Sequence, residues 1–232
     1  MLSYINMNSK KENEAKFQNF FLSGKAKSYK RGEEILIPTN NTDCIYFIET
    51  GYVKVYWLTE DGYEKMHVIY KPGEILPLMW ALNNEPVEGH YVAMSKVECR
   101  QINKEHFINL IRSHPDIIFS LTKKMSDIFK IYVNKVDNLV ISRSYPRLIS
   151  RLIFLAQRFG HEENGEIIID APITDTDIAH SIALTRETVN RELQHLEKKG
   201  LIGKKDRKII IFDIKGLEKE LSVSYERKAL VT

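Results

Sequence analysis

The sequence predicts an α+β protein with three parts: an N-terminal antiparallel β-barrel or sandwich, a long amphipathic helix, and a C-terminal helical domain with a two-stranded wing. Three observations carry that expectation. Between about Tyr29 and Ile102, short β-type runs alternate with turns rich in Gly and Asn; from Asp116 to Leu139, apolar residues return every three or four positions; and from Thr174 onward, two capped helical segments precede two apolar strands around a basic turn.

The β region reads as "EEILI", "CIYFIE", "YVKVYWL", "EKMHVIY" and "VECRQI", separated by "PTNNTD", "TEDG", "KPG" and "NNEP". Regular short strands with such turns favour closure into a barrel or sandwich. In "YVKVYWL" the alternation places Val53, Val55 and Trp57 on one face, the pattern of a half-buried strand. After His106 the periodicity becomes helical. "FINLIRSHP" stops at Pro115, and the following segment places Ile118, Leu121, Met125, Ile128, Tyr132, Val136 and Leu139 at spacings of 3, 4, 3, 4, 4 and 3. A narrow seam of that kind, with Lys123, Lys124, Lys130 and Lys135 off it, suits pairing with a second helix, so these seven residues are the predicted dimerisation positions. The alternative is a helix that packs only on its own barrel. "SRSYPRLISRLIFLAQRFG" is a further amphipathic helix from near Ser144 with Pro146 in its first turn and Gly160 as its stop, and "ENGEIIIDAPI" gives strands around an Asn164-Gly165 turn. The expected division is 1–115, 116–140 and 141–232.

Composition narrows the function classes. The chain has 232 residues, 43% hydrophobic and 28% charged, enough for two modest domains. No apolar run approaches the roughly 20 residues that span a membrane. The polar N-terminal stretch "MLSYINMNSKKENEAK" lacks a signal-peptide core, so the cytoplasm is the expected compartment and no membrane partner is expected. Two cysteines, Cys44 and Cys99, are too few for a disulfide framework or a four-thiolate zinc or iron–sulfur cluster. No metal site is expected. There is no GxGxxG, GxxxxGKS, HExxH or GxSxG, so no enzyme is expected. The net charge of +3 names no partner, but from Thr185 to Lys208 eight basic residues stand against four acidic ones. The excess is concentrated where a polyanion could meet it.

That basic stretch follows a distinctive pair of helices. Thr174 precedes "DTDIAHSIA" with Asp177 three residues on, a capping box with Asp in place of the usual Glu. Ala179 permits close helix approach, "ALT" makes a short turn, and Thr185 caps a second helix, which together read as a helix-turn-helix. At 100° per residue, Arg186, Glu187, Asn190 and Arg191 fall at roughly 0°, 100°, 40° and 140°, and Val189, Leu193 and Leu196 near 300°, 340° and 280°. The polar set therefore faces away from the core stripe in the first turn and a half, placed to enter a major groove. There Arg pairs with guanine O6 and N7 and Glu accepts from cytosine N4. Thr174, Thr185 and Thr188, with Lys204, Lys205 and Lys208 of the basic turn "KKDRK", are the candidates for phosphate contacts that position without reading sequence. The bland alternative is a solvated helix face with exposed ion pairs of little worth.

These segments resemble the CRP/FNR transcription regulators. "ITDTDIAHSIALTRETVNRELQHLEKKGLI" looks like their winged helix-turn-helix, and "TRETVNR" is close to the recognition helix of the CRP-like branch. "KRGEEIL", "CIYFIETGYVKVY" and "YKPGEIL" resemble the glycine-punctuated strands of their cyclic-nucleotide-binding-type β-roll, a jelly-roll architecture. The resemblance covers about Tyr29 to Phe212. It implies a homodimer joined through the long helix, double-stranded DNA as partner, and Arg186, Glu187 and Arg191 reading a TGTGA-like half-site. Activation would further require RNA polymerase contacts, for which no motif is visible.

Three departures from the family pattern matter. The four cysteines of cluster-holding members are missing, which excludes an iron–sulfur sensor. Ala183 stands where Gly is common, which implies mild strain if that position is left-handed. Most consequential, cyclic-nucleotide binders follow Gly-Glu, about ten residues on, with Arg and Ser or Thr that hold the phosphate, whereas Gly73 and Glu74 are followed by "ILPLMWALNNEPVEGHYVAM" with no basic residue before His90. A phosphate buried without a cation or several donors is costly, which argues against cyclic AMP. The effector remains unknown. It would be a small molecule taken near Gly73, Glu74 and His90, with "LPLMW", Tyr91 and Tyr56 suiting a less polar ligand or simply forming core. Haem would need His67, His90 or His106, each a lone histidine, and no cofactor is identified. A constitutive DNA-binding repressor with a non-sensing barrel is the alternative.

Overall fold

A computed structural model of the chain describes residues 19–38, 43–141, 143–206 and 208–229; the side chains at 116, 120, 124, 134, 135, 137–140 and 224–229 fall outside the description. A short helix, α1, is described over residues 19–22. Eight strands follow: β1 (Lys25–Tyr29), β2 (Glu34–Leu36), β3 (Cys44–Thr50), β4 (Val53–Leu58), β5 (Glu64–Tyr70), β6 (Ile75–Leu76), β7 (His90–Ala93) and β8 (Val97–Asn103). They form two four-stranded sheets ordered β1-β8-β3-β6 and β2-β7-β4-β5. The pairs β1–β8, β3–β8, β3–β6, β2–β7 and β4–β7 run antiparallel. These two orders make an eight-stranded jelly roll, the expected architecture.

Alternation decides what each strand buries. In β4, Val53 and Val55 are buried while Lys54 and Tyr56 are half-buried. Gly51, between β3 and β4, has φ +85°, and a Cβ there would lie 2.2 Å from Lys96 O, so both its conformation and the close approach require glycine. Phe21, Ile45, Phe47, Ile102 and Phe107 form one buried cluster, in which the Phe21 and Phe47 rings stack at 5.0 Å. Phe107 belongs to α3 (Lys104–Ser113), whose start is capped by the Asn103 side chain accepting from Glu105 N at 2.8 Å.

The helix α4 (Pro115–Val140) matches the predicted seam in length but not in detail. Ile117 and Leu121 are buried in the same cluster as Phe107, with Leu121 only 4% exposed, so Leu121 is core of its own domain and not a pairing residue. Ile128 and Tyr132 are half-buried. Ile118 (43%), Met125 (44%) and Val136 (60%) are exposed as expected, joined by Phe129 (68%) and Val133. The exposed stripe therefore runs along positions 118, 125, 129, 133 and 136. It is rotated from the predicted line because a helix packed on a β-roll must turn part of its apolar surface inward. The side chain of Leu139 lies outside the described residues. The chain divides into two compact units, Met1–Tyr63 with His67–Ile131 and Glu64–Met66 with Tyr132–Thr232, so the main break falls inside α4.

The second unit contains α5 (Ser144–Phe159), β9 (Gly160–Glu163), β10 (Glu166–Ile169), α6 (Asp175–Ile182), α7 (Arg186–Lys198), β11 (Ile202–Lys205), β12 (Lys208–Ile211) and α8 (Ile214–Ala229). Its sheet is ordered β11-β12-β10-β9, so the wing strands continue the hairpin predicted around Asn164-Gly165. Leu148, Ile149, Leu152 and Leu155 of α5 are fully buried and form its centre. Two helices carry no clear sequence signal. One is α2 (Leu78–Asn83), six residues inside an apolar run; the other is α8, which has Gly216 in its first turn and a mostly polar surface.

Candidate nucleic-acid interface

The helix-turn-helix is built by its caps. Thr174 Oγ1 accepts from Asp177 N at 3.1 Å while Asp177 Oδ2 accepts from Thr174 N at 2.9 Å, which completes the predicted capping box. The Thr174 hydroxyl also donates to Asp177 Oδ2 at 2.6 Å, so it is engaged in the cap and not free for phosphate. At the other end of α6, Ala183 adopts φ 52°, ψ 50°, and Leu184 N reaches Ala179 O at 3.1 Å, closing the helix in a Schellman-type turn. The left-handed region costs a non-glycine residue about 1–2 kcal/mol. Glycine's greater freedom in the unfolded chain offsets about 0.4–1 kcal/mol of that. Ala183→Gly is accordingly expected to stabilise the domain by about 0.5–1 kcal/mol, read as a higher urea midpoint at unchanged slope; a lower midpoint would show that Ala183 is unstrained.

Thr185 caps α7 in the same way, its Oγ1 accepting from Thr188 N at 3.2 Å and lying 3.1 Å from Thr188 Oγ1. Val189, Leu193 and Leu196 are buried, each contributing about 1.5–3 kcal/mol of apolar burial and fixing which face of α7 turns outward. That outward face carries Arg186, Glu187 and Arg191, all exposed, with Asn190 half-buried beside them, so the four predicted base-reading residues come together. The Glu187 carboxylate is held below the usual range by its own backbone amide and by the Thr185 side chain. Arg191 Nη2 lies 3.0 Å from Glu192 Oε1, and that oxygen also accepts from Ser144 Oγ at 2.8 Å. This Ser144–Glu192–Arg191 relay steers one guanidinium from the start of α5, a link that spans 48 positions and leaves no local sequence pattern.

The wing differs from expectation in its charge. Lys204 Nζ meets both oxygens of Asp175 at 2.8 and 2.9 Å, and Lys208 Nζ lies 2.8 Å from Asp170 Oδ1. Asp170 Oδ2 in turn holds His161 Nδ1 at 2.5 Å. Lys208 is half-buried. Lys204 and Lys208 would thus have to exchange a carboxylate for a phosphate, whereas Lys205 is exposed and among the described residues has no acidic partner. Arg207 lies outside the described residues.

The proposed effector residues do not share one cavity. Gly73 and Glu74 lie at the turn before β6, where Glu74 Oε2 accepts from Lys71 N at 3.0 Å, and Gly73 lines a cavity of about 390 Å³ with Leu22, Phe47, Glu49 and Arg100. Arg100 and Glu49 form an ion pair there at 3.0 Å. His90 belongs to the other sheet; its ring stacks on Tyr56 at 5.1 Å and its Nδ1 lies 2.7 Å from Glu34 Oε1. Among the described residues, no group of three or more His, Cys, Asp or Glu could hold a metal ion, and no helix is long and apolar enough to cross a membrane.

Comparison with known proteins agrees with this layout. Residues 26–114 match the cyclic nucleotide-binding domain and residues 146–220 the Crp-like helix-turn-helix domain. The anaerobic regulatory protein of Bacillus subtilis is 30% identical over 162 residues, 68% of this chain and 67% of that protein. The chain belongs to the CRP/FNR family. It is a CRP-like DNA-binding transcription regulator, and the relatives it matches are regulators, not enzymes. The CRP-like cAMP-activated global transcriptional regulator of Mycobacterium tuberculosis is 24% identical over 185 residues, covering 80% of this chain and 83% of that one. Among solved structures, FixK2 from Bradyrhizobium japonicum aligns with a TM-score of 0.73 at 21% identity, over 84% of this chain and 96% of its own. A CooA mutant from Carboxydothermus hydrogenoformans aligns at 0.73 and 19% identity, over 88% and 90%. These structures share the fold of this CRP/FNR chain.

Proposed function

We propose that this CRP/FNR regulator acts as a homodimer that reads palindromic TGTGA-like sites through Arg186, Glu187, Asn190 and Arg191, positioned by phosphate contacts from Lys205 and the start of α7. The exposed polar first turn of α7, held outward by Val189, Leu193 and Leu196, carries the reading. Residues 1–115 form the sensor, 116–140 the pairing helix and 141–232 the DNA-binding part. Pairing follows from the exposed stripe Ile118, Met125, Phe129, Val133 and Val136, an apolar row at heptad-like spacing.

The effector is a small molecule other than cyclic AMP. From Glu74 to Val92 the chain carries three carboxylates, Glu74, Glu85 and Glu88, and no Lys or Arg. His90 in that stretch is held by Glu34. Among the described residues, the cavity beside Gly73 is lined by a single cation, Arg100, which is already paired with Glu49, so a cyclic phosphate buried there would lack an unpaired cation, which is unfavourable. An effector would act by binding one of two dimer states more tightly than the other. A constitutive repressor with a non-sensing barrel is the second reading, favoured by the pairing of Arg100 with Glu49 in the cavity beside Gly73.

The test is fluorescence anisotropy of the ligand-free full-length protein on a TGTGA palindrome and on a scrambled duplex across a salt series. Selective binding without additive is the expected result for a DNA-competent resting state. Cyclic AMP is expected to change neither the affinity nor the selectivity; a cyclic-AMP-dependent gain in palindrome affinity would overturn the effector reading. Failure to select a TGTGA-like element from random DNA would overturn the half-site.

A further inference from the structure

A second cavity lies wholly within the DNA-binding unit, apart from the barrel. It is a half-open cleft of about 500 Å³ between the start of α5, the end of α7 and α8, a volume suited to a small organic ligand. One wall is a hydrogen-bonded, partly exposed polar cluster. Lys199 Nζ lies 2.7 Å from Glu220 Oε1 and 3.2 Å from Tyr145 Oη, while Tyr145 Oη donates to Glu220 Oε2 at 3.0 Å. The Tyr145 and His195 rings stand 5.1 Å apart at 58°, forming an aromatic corner, and Pro146, Leu201 and Val223 supply apolar surface. Glu220 neutralises Lys199, and its pairing holds that ammonium above and that carboxylate below their usual ranges. Arg143 and Lys219 remain, both exposed and, among the described residues, without an acidic partner.

An aromatic corner, apolar sides and two uncompensated cations describe one class of ligand. We propose that this cavity binds a small aromatic carboxylate, its ring against Tyr145 and His195 and its carboxylate taken by Arg143 and Lys219. Arginine's planar fork matches a carboxylate in two parallel hydrogen bonds, and the aromatic walls favour a planar ring over an aliphatic chain. The ligand would join α5 and α8 to the end of the recognition helix, giving the DNA-binding unit an input separate from the barrel.

The test uses full-length protein labelled at Leu and Val methyl groups and titrated with benzoate, cyclohexanecarboxylate and inorganic phosphate. Benzoate is expected to shift the methyl signals of Leu201 and Val223 and to bind at least tenfold more tightly than the other two. The Arg143→Gln/Lys219→Gln variant, altered only at exposed side chains, is expected to keep its thermal midpoint and lose benzoate affinity at least tenfold. No shift at Leu201 and Val223, or benzoate binding that survives in the variant, would overturn the site. Phosphate or cyclohexanecarboxylate binding as tightly as benzoate would overturn the aromatic assignment.

Discussion

Arg186→Ala is expected to cost about 1–3 kcal/mol on a TGTGA palindrome and to relax preference at a single base pair of each half-site. Arg186 is exposed in the first turn of α7, next to Glu187, whose carboxylate is oriented by its own amide and by Thr185. On the proposed reading that guanidinium pairs with one guanine through two hydrogen bonds, so its loss should leave that base unread while the rest of the interface stays put. Lys205→Ala should behave differently. It removes one ammonium without an acidic partner among the described residues of the wing, so affinity should fall by a similar factor on every sequence, and the salt slope should flatten by about one. Anisotropy on cognate and random duplexes at several salt concentrations separates these outcomes. If Arg186→Ala lowers affinity equally on both duplexes, it does not read a base.

The second large effect is on assembly. Met125→Glu with Phe129→Glu places two carboxylates on the exposed stripe of α4, at 44% and 68% exposed positions, without touching the buried cluster around Phe107. The expected result by sedimentation is a folded monomer with an unchanged thermal transition for its β-roll and at least a tenfold loss of palindrome affinity, because the two half-sites must then be bound independently. Leu121→Glu should act through another route. Its side chain is 4% exposed inside the core, so an unpaired carboxylate there should unfold the first unit, which appears as a lost thermal transition. A dimer that survives Met125→Glu/Phe129→Glu would remove the stripe as the pairing surface.

The DNA-binding end of the chain was the most legible, because its information is local. Thr174 and Asp177 are three residues apart, Thr185 and Thr188 likewise, and a cap of that span is readable in a single line of sequence. The outward set Arg186, Glu187, Asn190 and Arg191 followed from helix geometry alone once the cap fixed where the helix starts. The jelly roll was legible only as a class. Alternation and turns announced short strands, whereas the pairing of β1 with β8 joins Lys25 to Gln101, a contact no local pattern encodes. The two missed helices show the same limit from the other side. α2 is too short to display a period, and α8 is held by its packing against α5 more than by an apolar stripe of its own.

What the sequence by itself determined is where the capped helices α6 and α7 begin, that short strands alternate with turns, and which side chains of α7 turn away from the core. These depend on neighbours within about four positions. The tertiary structure alone decided which apolar residues of α4 stay exposed, which wing lysine lacks an acidic partner among the described residues, and that Arg143, Tyr145, His195, Lys199 and Glu220 line one cavity. Each of those depends on partners brought close only by folding: Leu121 is covered by the cluster around Phe107, Lys204 and Lys208 are met by carboxylates 29 and 38 positions away, and Glu220 reaches Tyr145 across 75. Hydrophobic period fixes a side chain's direction from its own helix axis, but what stands in that direction is set by the rest of the fold.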